Sequence, residues 1–313
     1  MGLDVFTSSP AARRVFEEAD EALGFSLSKS CFEGPDDELR RTEIQQPAIL
    51  TTSIALLHAL NENLAQTPIQ NQTCIAPGFV AGHSLGEYSA LVAAGALGFA
   101  DAVRTVHLRG RLMQEAVADG QGAMAAVLGI SADVVAEACA SSEEQTGLVV
   151  TAANFNSPVQ IVIAGDAEAV DVACQMAQAL GAKKTVPLAV SAPFHCSLMQ
   201  PAADKLAIEL DRLDFSDAMP PIMTNVEAEP NADAARIPGL LREQVTAPVR
   251  FADMIAKMKS LGVDRYLEVG PGRVLSGLIA RIERRARRAN FSSLESLDGV
   301  REFLSDDLQE GAN

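Results

Sequence analysis

The sequence lacks the features of a membrane-bound or exported protein. Its 313 residues contain no apolar run near the length of about 20 residues that spans a bilayer. The N-terminus shows no signal-peptide pattern, and Met1-Gly2 is not followed by Ser or Thr at the position that myristoylation requires. We therefore expect no membrane partner.

Cysteine is scarce and shows no pairing pattern. The five cysteines have an odd count and no C-x-x-C spacing, and they lie far apart at Cys31, Cys74, Cys139, Cys174 and Cys196. This usage favours reduced thiols and a cytoplasmic location. Cysteine and histidine never cluster with the spacing of metal ligands, so we expect no metal site.

Positive charge is in the minority. The chain has 25 Lys and Arg against 41 Asp and Glu, for a net charge of −16. This balance argues against a nucleic-acid partner, because such binding depends on Lys and Arg at the phosphates. One basic cluster stands out within eight residues, at Arg281, Arg284, Arg285, Arg287 and Arg288. Two interpretations stay open: a solvated helix face, or a docking patch for an acidic partner.

The chemistry-bearing stretch is residues 75–95, IAPGFVAGHSLGEYSALVAAG. An apolar run leads into Gly82-His83-Ser84-Leu85-Gly86, and a helical pattern follows. A strand, a sharp turn and a helix around G-x-S-x-G are typical of a nucleophile elbow. The strained turn needs small neighbours, which Gly82 and Gly86 provide. The pattern predicts that Ser84 is a nucleophile at a helix N-terminus, where free N–H groups stabilise an oxyanion.

A purely structural interpretation competes for the same residues. Ser84 and Glu87 have the S-x-x-E spacing of a helix capping box. The two glycines and the preceding strand favour the nucleophile. The capping box stays as the alternative.

Two other positions suggest a site. Arg109 and Arg111 lie two apart on a helix predicted over residues 99–117, so they cannot face the same way and one of them points inward. A buried arginine requires an anion. His195 follows Pro193 in a predicted loop at a strand end, where functional residues gather, although a lone loop histidine is often incidental.

The order of elements predicts an α/β fold with a second, smaller unit. Residues 123–190 predict strand, helix, strand, strand, helix, strand, the split βαβ arrangement of a ferredoxin-like subdomain. Strand–turn–helix units at Ser84 and around Gly270 belong to the main sheet. We also expect a long apolar helix over residues 48–60 that opens at Pro47, with Gln46 near its cap.

Several long motifs in order now point to a family. They are GHSLGEYSALVAAG, LRGRLMQEAV, GAMAAVLG, NFNSPVQIVIAG, SAPFH and EVGPG. Together they resemble the bacterial malonyl-CoA:acyl carrier protein transacylases, which recur as the acyltransferase domain of polyketide and fatty acid synthases. The resemblance covers nearly the whole chain. It implies an α/β-hydrolase-like core with a parallel sheet, at residues 1–120 and 192–313, and an inserted ferredoxin-like subdomain at residues 121–191.

The resemblance also implies roles for particular residues. Ser84 matches the nucleophile, and His195 matches a general base oriented by a backbone carbonyl in the segment that includes Gln244. The N–H of Leu85 matches an oxyanion donor, and Arg109 matches the arginine that pairs with the malonyl carboxylate. Further pocket, coenzyme A or supporting positions are His83, Gln46, Asn156, Gln160 and Gln244.

The implied reaction is a ping-pong transfer. Malonyl-CoA acylates Ser84, and the phosphopantetheine thiol of acyl carrier protein then takes the malonyl group, for fatty acid or polyketide synthesis. Phe194 resembles the bulky residue that favours malonyl over methylmalonyl. The implied partners are malonyl-CoA and acyl carrier protein; we expect a monomer and no cofactor beyond the coenzyme A thioester.

The sequence departs from the family pattern at its N-terminus. Family members begin with a core strand and Gly-Gln-Gly-Ser-Gln, which supplies a second oxyanion donor, whereas Met1-Gly2 resembles the Met-Gly just after that motif. Either the true start lies upstream, which we favour, or the chain is short; in the form given we expect it to be slower. Two other functions stay open: a serine hydrolase or thioesterase, which shares the elbow, and, because of the missing motif, a non-catalytic carrier-protein-binding remnant.

Overall fold

The computed structural model describes residues 1–69, 73–190 and 192–305. The predicted subdomain boundary at residue 191 and the last residues of the predicted core, 306–313, lie outside these ranges. The helices are α1 (Leu3–Ser8), α2 (Pro10–Leu23), α3 (Leu27–Glu33), α4 (Asp36–Arg40), α5 (Thr42–Gln66), α6 (Leu85–Ala93), α7 (Phe99–Glu115), α8 (Ala132–Thr146), α9 (Ala167–Ala179), α10 (Gln200–Leu210), α11 (Ile237–Gln244), α12 (Phe251–Ser260), α13 (Val274–Ile282) and α14 (Leu297–Ser305).

The strands form three sheets within the described ranges. They are β1 (Val80–Ala81), β2 (Gly122–Leu128), β3 (Val150–Ser157), β4 (Gln160–Asp166), β5 (Lys184–Pro187), β6 (Ile222–Met223), β7 (Pro230–Asn231), β8 (Arg265–Val269) and β9 (Arg287–Phe291). Strand β1 runs parallel to β6, and β8 runs parallel to β9. The predicted mixed α/β class is therefore confirmed.

The largest sheet is antiparallel and has the strand order β3-β4-β2-β5. Its elements follow one another as strand, helix, strand, strand, helix, strand. Alternate residues of β2 point to opposite faces, as the two-residue period of a strand requires. Ala125 and Val127 pack in a cluster with residues of α8 and α9, whereas Met124 and Ala126 pack with Cys196. The second face thus meets the loop that carries His195.

Helix α5 begins one and a half turns earlier than the sequence predicts. It starts at Thr42, so Pro47 lies inside the helix. Proline has no N–H and cannot donate to the carbonyl four residues before it, which is that of Glu43. Nδ1 of His107 on α7 donates to this carbonyl oxygen at 2.8 Å. The partner on a neighbouring helix explains why proline does not end the helix here.

Helices α5 and α7 meet closely at a glycine. A Cβ on Gly110 would lie 2.5 Å from the carbonyl oxygen of Thr42 and 2.7 Å from Cα of Glu43. Only a residue without a side chain allows this approach. The contact brings Gln46 on α5 beside Arg109 on α7, and both side chains are buried.

The arginine cluster does not lie on one helix face. Arg281 belongs to α13, which ends at Ile282, whereas Arg287 and Arg288 belong to β9. Arg284 and Arg285 occupy the turn between them and are exposed. The single-helix interpretation is therefore wrong, and the cluster follows a helix end, a turn and a strand.

Candidate active site

Ser84 lies in a strained turn between β1 and α6. Its backbone has φ 50° and ψ −107°, a conformation that costs free energy for a residue with a side chain. A Cβ on Gly82 would lie 2.0 Å from the backbone of Gly86, so the turn closes on itself there. A Cβ on Gly86 would meet nothing within 4 Å. Of the two glycines in the predicted motif, only Gly82 has to be glycine, because a side chain there would collide with the Gly86 backbone.

Asn225 holds this turn from the neighbouring strand. Its Oδ1 accepts the backbone N–H of Ser84 at 2.6 Å, and its Nδ2 donates to the carbonyl oxygen of Gly82 at 2.7 Å. Asn225 is fully buried and comes just after β6. Because β1 and β6 are parallel, residues after their carboxyl ends meet at one edge, and this signal could have identified Asn225 from the sequence.

The capping-box interpretation is wrong. The Ser84 side chain does not cap α6, and its own N–H donates to Asn225. The Glu87 carboxylate accepts from the backbone N–H of Asn225 at 3.2 Å and from Nε2 of Gln244 at 2.7 Å. Glu87 therefore faces inward behind Ser84, a position that the spacing alone did not reveal.

Ser84, His195 and Gln244 form a continuous hydrogen-bond chain. Oγ of Ser84 lies 2.7 Å from Nε2 of His195, and Nδ1 of His195 lies 2.8 Å from the carbonyl oxygen of Gln244. A carbonyl only accepts, so Nδ1 carries the proton and Nε2 has its lone pair towards the serine hydroxyl. The geometry allows His195 to take the Ser84 proton.

His195 stays neutral because of its surroundings. Its side chain is 3% exposed. Burial, followed by the nearby Arg109 charge, lowers the pKa of His195 to about 3. The loop that carries His195 packs against β2, because a Cβ on Gly122 would lie 2.3 Å from Cδ of Pro193. The imidazole is thus held by packing and uncharged near neutral pH, which leaves Nε2 free to accept a proton.

Arg109 is the buried member of the arginine pair, whereas Arg111 is exposed. The Arg109 guanidinium donates to Oε1 of Gln46 at 2.6 Å, to Oγ of Ser84 at 2.9 Å and to Oε1 of Gln244 at 2.9 Å. These acceptors are all uncharged. Among the described residues, no carboxylate forms an ion pair with this guanidinium, and its Nε has no hydrogen-bond partner. A buried cation 2.9 Å from Oγ of Ser84 is thus suited to bind an anion.

The remaining predicted residues divide into two groups. Nε2 of His83 lies 2.8 Å from Oδ1 of Asn156, so these two side chains support each other next to Ser84. Burial lowers the pKa of His83. Gln160 instead accepts a hydrogen bond from Arg281 at the start of β4, and the structure does not bring it into contact with Ser84 or His195.

A pocket opens onto Ser84 and Arg109. Its volume is about 260 Å³, and Leu85 stands at the first position of α6, where a backbone N–H has no intrahelical acceptor. The lining residues are Arg40, Thr42, Gln45, Gln46, Ser84, Leu85, Arg109, Met113, Ala189, Val190 and Phe194. The pocket therefore joins the Ser84 hydroxyl, the N-terminus of α6 at Leu85 and the buried Arg109 cation.

Two features are absent from residues 1–69, 73–190 and 192–305. No group of three or more His, Cys, Asp or Glu residues in those ranges could hold a metal ion. In the same ranges, no helix is both long enough and apolar enough to cross a membrane.

The chain is similar to known proteins along most of its length. The family model described as acyl transferase domain matches residues 1–294. The malonyl CoA-acyl carrier protein transacylase of Bacillus subtilis (strain 168) is 47% identical over 298 residues, which cover 95% of this chain and 90% of that protein.

Solved structures of transacylases are also similar to this chain. The malonyl CoA-acyl carrier protein transacylase of Clostridium perfringens superposes with a TM-score of 0.92 at 38% identity, covering 100% of this chain and 95% of that one. A malonyl-transacylase solved in complex with a type II PKS acyl-carrier protein gives 0.89 at 41% identity, covering 96% and 94%. With the family model and these relatives in agreement, the chain belongs to the acyl transferase domain family, among the malonyl CoA-acyl carrier protein transacylases.

Proposed function

We propose that this chain transfers a malonyl group from malonyl-CoA to the phosphopantetheine thiol of an acyl carrier protein. The observation that carries the proposal is the buried Arg109 guanidinium, 2.9 Å from Oγ of Ser84. A plain serine hydrolase needs no cation at this position, whereas a substrate with a carboxylate two carbons from its thioester carbon does. The names of the relatives and the solved carrier-protein complex support the same substrates.

The first half-reaction forms an ester on Ser84. Oγ attacks the thioester carbonyl carbon while Nε2 of His195 takes the hydroxyl proton. The N–H of Leu85 stabilises the negative charge that develops on the carbonyl oxygen. The carbon–sulfur bond then breaks, and the proton on His195 passes to the departing coenzyme A thiolate. The products are malonyl-Ser84 and free coenzyme A, and His195 is neutral again.

The second half-reaction reverses these steps with a different thiol. His195 takes the proton of the phosphopantetheine thiol, and the sulfur attacks the ester carbonyl carbon. The ester bond to Oγ breaks and the proton returns to Ser84. No redox step and no further cofactor is required, because each bond exchange is balanced by the proton that His195 carries.

Selectivity for malonyl follows from Arg109 and Phe194. A carboxylate gives the guanidinium the charged partner that its uncharged acceptors do not supply, whereas an acetyl group leaves it without one. Phe194 lines the same pocket and leaves little room for the methyl branch of methylmalonyl. Gln46 and Gln244 hold Arg109 in place, and His83 and Asn156 support the turn at Ser84. We assign a coenzyme A contact to Gln160, which accepts a hydrogen bond from Arg281.

We also propose how the chain divides into a core and an inserted subdomain. Residues 121–191 form a ferredoxin-like subdomain inserted into an α/β-hydrolase-like core made of residues 1–120 and 192–313. The element order and the strand order β3-β4-β2-β5 support this assignment, since the first and third strands of the split βαβ unit lie together in the centre. Separate apolar clusters in the two parts support the boundary.

The test is mass spectrometry of the intact protein after mixing with malonyl-CoA. We expect an increase of about 86 Da, the mass of one malonyl group on a serine nucleophile. The increase maps to Ser84, is absent in Ser84→Ala, and disappears when holo acyl carrier protein is added. Steady release of coenzyme A without a carrier would instead indicate a hydrolase. Absence of both adduct and release would indicate a binding module and refute the proposal.

A further inference from the structure

Gln244 connects the catalytic groups through every polar atom of its side chain. Oε1 accepts from Arg109 at 2.9 Å, and Nε2 donates to the carbonyl oxygen of Ser84 at 3.0 Å and to Oε2 of Glu87 at 2.7 Å. Its backbone carbonyl accepts from His195. A rotation of this amide by half a turn would exchange its donor and acceptor ends. The site therefore depends on what keeps Gln244 in one orientation.

Glu87 is the charged partner that, together with the carbonyl oxygen of Ser84, fixes the orientation of the Gln244 amide. A carboxylate only accepts, so it selects the amide nitrogen, and the carbonyl end is left for the guanidinium, which only donates. Glu87 is 3% exposed and also accepts the backbone N–H of Asn225 at 3.2 Å. It lies on α6, one turn after Ser84, and it is not among the residues that line the pocket. Its influence on substrate therefore passes through Gln244, or through Asn225, which holds the Ser84 turn.

We propose that Glu87 is a positioning residue: its carboxylate fixes the Gln244 amide with the carbonyl oxygen towards Arg109, and so holds the guanidinium where the substrate carboxylate meets it. This inference rests on the proposed function, since it assigns Glu87 to malonyl selectivity. Glu87→Gln keeps the shape of the side chain but offers an amide group. Gln244 can then turn, and its NH₂ group faces the guanidinium donor to donor. Arg109 loses an acceptor and its fixed position.

The ionisation of Glu87 gives the proposal a pH signature. Burial raises the pKa of Glu87 to about 7, against the opposing effects of Gln244, Asn225 and Arg109. The nearest charged or titratable groups are Arg109 on α7, Tyr88 on α6, and His83 and His195 on the adjoining loops. Burial raises the pKa of Tyr88 to about 12 and lowers that of both histidines, so these groups keep their charge between pH 7 and pH 8. As pH rises through 7, Glu87 becomes a pure acceptor and fixes Gln244 more firmly.

The experiment measures single-turnover loading of Ser84 with malonyl-CoA and, separately, with acetyl-CoA. At pH 8 we expect Glu87→Gln to lower the malonyl-to-acetyl rate ratio about tenfold, as for loss of a hydrogen bond to a charged group. At pH 6 the deficit shrinks, because the wild-type carboxyl group is then largely protonated. Glu137→Gln makes the same chemical change on the exposed face of α8 and serves as the matched control, with an unchanged ratio.

A double-mutant cycle tests whether Glu87 acts through Gln244. In a Gln244→Met background, Glu87→Gln is expected to cause no further change in the rate ratio. Equal loss of both acyl substrates, an unchanged ratio, or a further tenfold loss in the Gln244→Met background would overturn the inference. If Glu87→Gln fails to fold, a wild-type ratio that stays flat between pH 6 and pH 8 overturns it as well. Wild-type protein that loads no malonyl at all would refute the proposed function itself.

Discussion

Arg109 places a buried positive charge beside the neutral imidazole of His195 and the hydroxyl of Ser84. Removing a guanidinium from water costs several kcal/mol unless a negative charge compensates it. Glu87 reaches Arg109 only through the Gln244 amide, and burial raises the pKa of this carboxyl group to about 7. Near neutral pH, Glu87 therefore compensates the Arg109 charge only in part. Under the proposed function, the substrate carboxylate would complete this compensation and so link binding of the correct acyl group to stability of the site.

Arg109→Ala tests this link against a matched neighbour. Losing one partner of a buried charge pair is expected to lower malonyl loading by about 10²–10³-fold and to leave acetyl loading much less affected. Arg111→Ala removes the same side chain two residues on, from the exposed face of α7, and is expected to load malonyl normally. Loading rates with the two thioesters measure both effects. Unchanged malonyl loading in Arg109→Ala would remove Arg109 from the substrate site.

Sequence reasoning reached some of these residues and missed others for a physical reason. The spacing of Arg109 and Arg111 showed that one arginine points inward, and the elbow motif singled out Ser84, because both signals are local. Asn225 was not singled out, and Glu87 was considered only as a capping-box residue, because their roles depend on contacts between segments more than 130 residues apart, as for the Asn225–Glu87 bond. A hydrogen-bond network of this kind has no local spacing pattern.

Helix boundaries show the same difference between local and long-range information. Pro47 predicted a helix start, because a proline is best tolerated in the first turn. The structure extends α5 back to Thr42, since His107 supplies the hydrogen bond that Pro47 cannot. This extension places Gln46 in the second turn, at the distance from α7 that its bond to Arg109 needs. A rule based on the local sequence cannot predict a hydrogen-bond donor, such as His107, that comes from another helix.

The elbow between β1 and α6 permits a test with its own internal control. Gly82→Ala places a Cβ 2.0 Å from the Gly86 backbone, so the turn has to open and move Oγ of Ser84 away from His195. We expect malonyl loading to fall by about 10²-fold or more, because small displacements of reacting groups cost that much. Gly86→Ala adds the same methyl group on the other side of Ser84, where nothing lies within 4 Å, and is expected to remain active. Equal activity of the two variants would contradict the close approach at Gly82.

The whole molecule brings the site together from distant parts of the chain. The site takes Gln46 from α5, the Ser84 turn from the start of α6, Arg109 from α7, Gln244 from α11 and His195 from the loop after β5. The four-stranded sheet joins this assembly where β3 pairs with the segment after α11, through the N–H of Phe155 and the carbonyl oxygen of Val249 at 2.9 Å. The strand–helix order of this sheet was predicted correctly because local hydrophobic periodicity determines it. The junction depends on the assembled fold and was not predicted.

The arginine cluster contacts the four-stranded sheet through Arg281 on α13, which donates to Gln160 at the start of β4. On a protein with a net charge of −16, exposed cations at this place suit docking of an acidic carrier protein. We expect Arg284→Glu together with Arg285→Glu to raise the KM for carrier protein about threefold to tenfold, since each exposed pair contributes about 0.2–1 kcal/mol. Loading from malonyl-CoA is expected to stay at the wild-type rate.

Arg13→Glu with Arg14→Glu, an adjacent exposed pair on α2, changes the net charge equally and controls for long-range effects. High salt should reduce the difference between the two double variants, because it screens exposed charges. An equal response of both half-reactions, or of both double variants, would exclude the cluster as a docking surface.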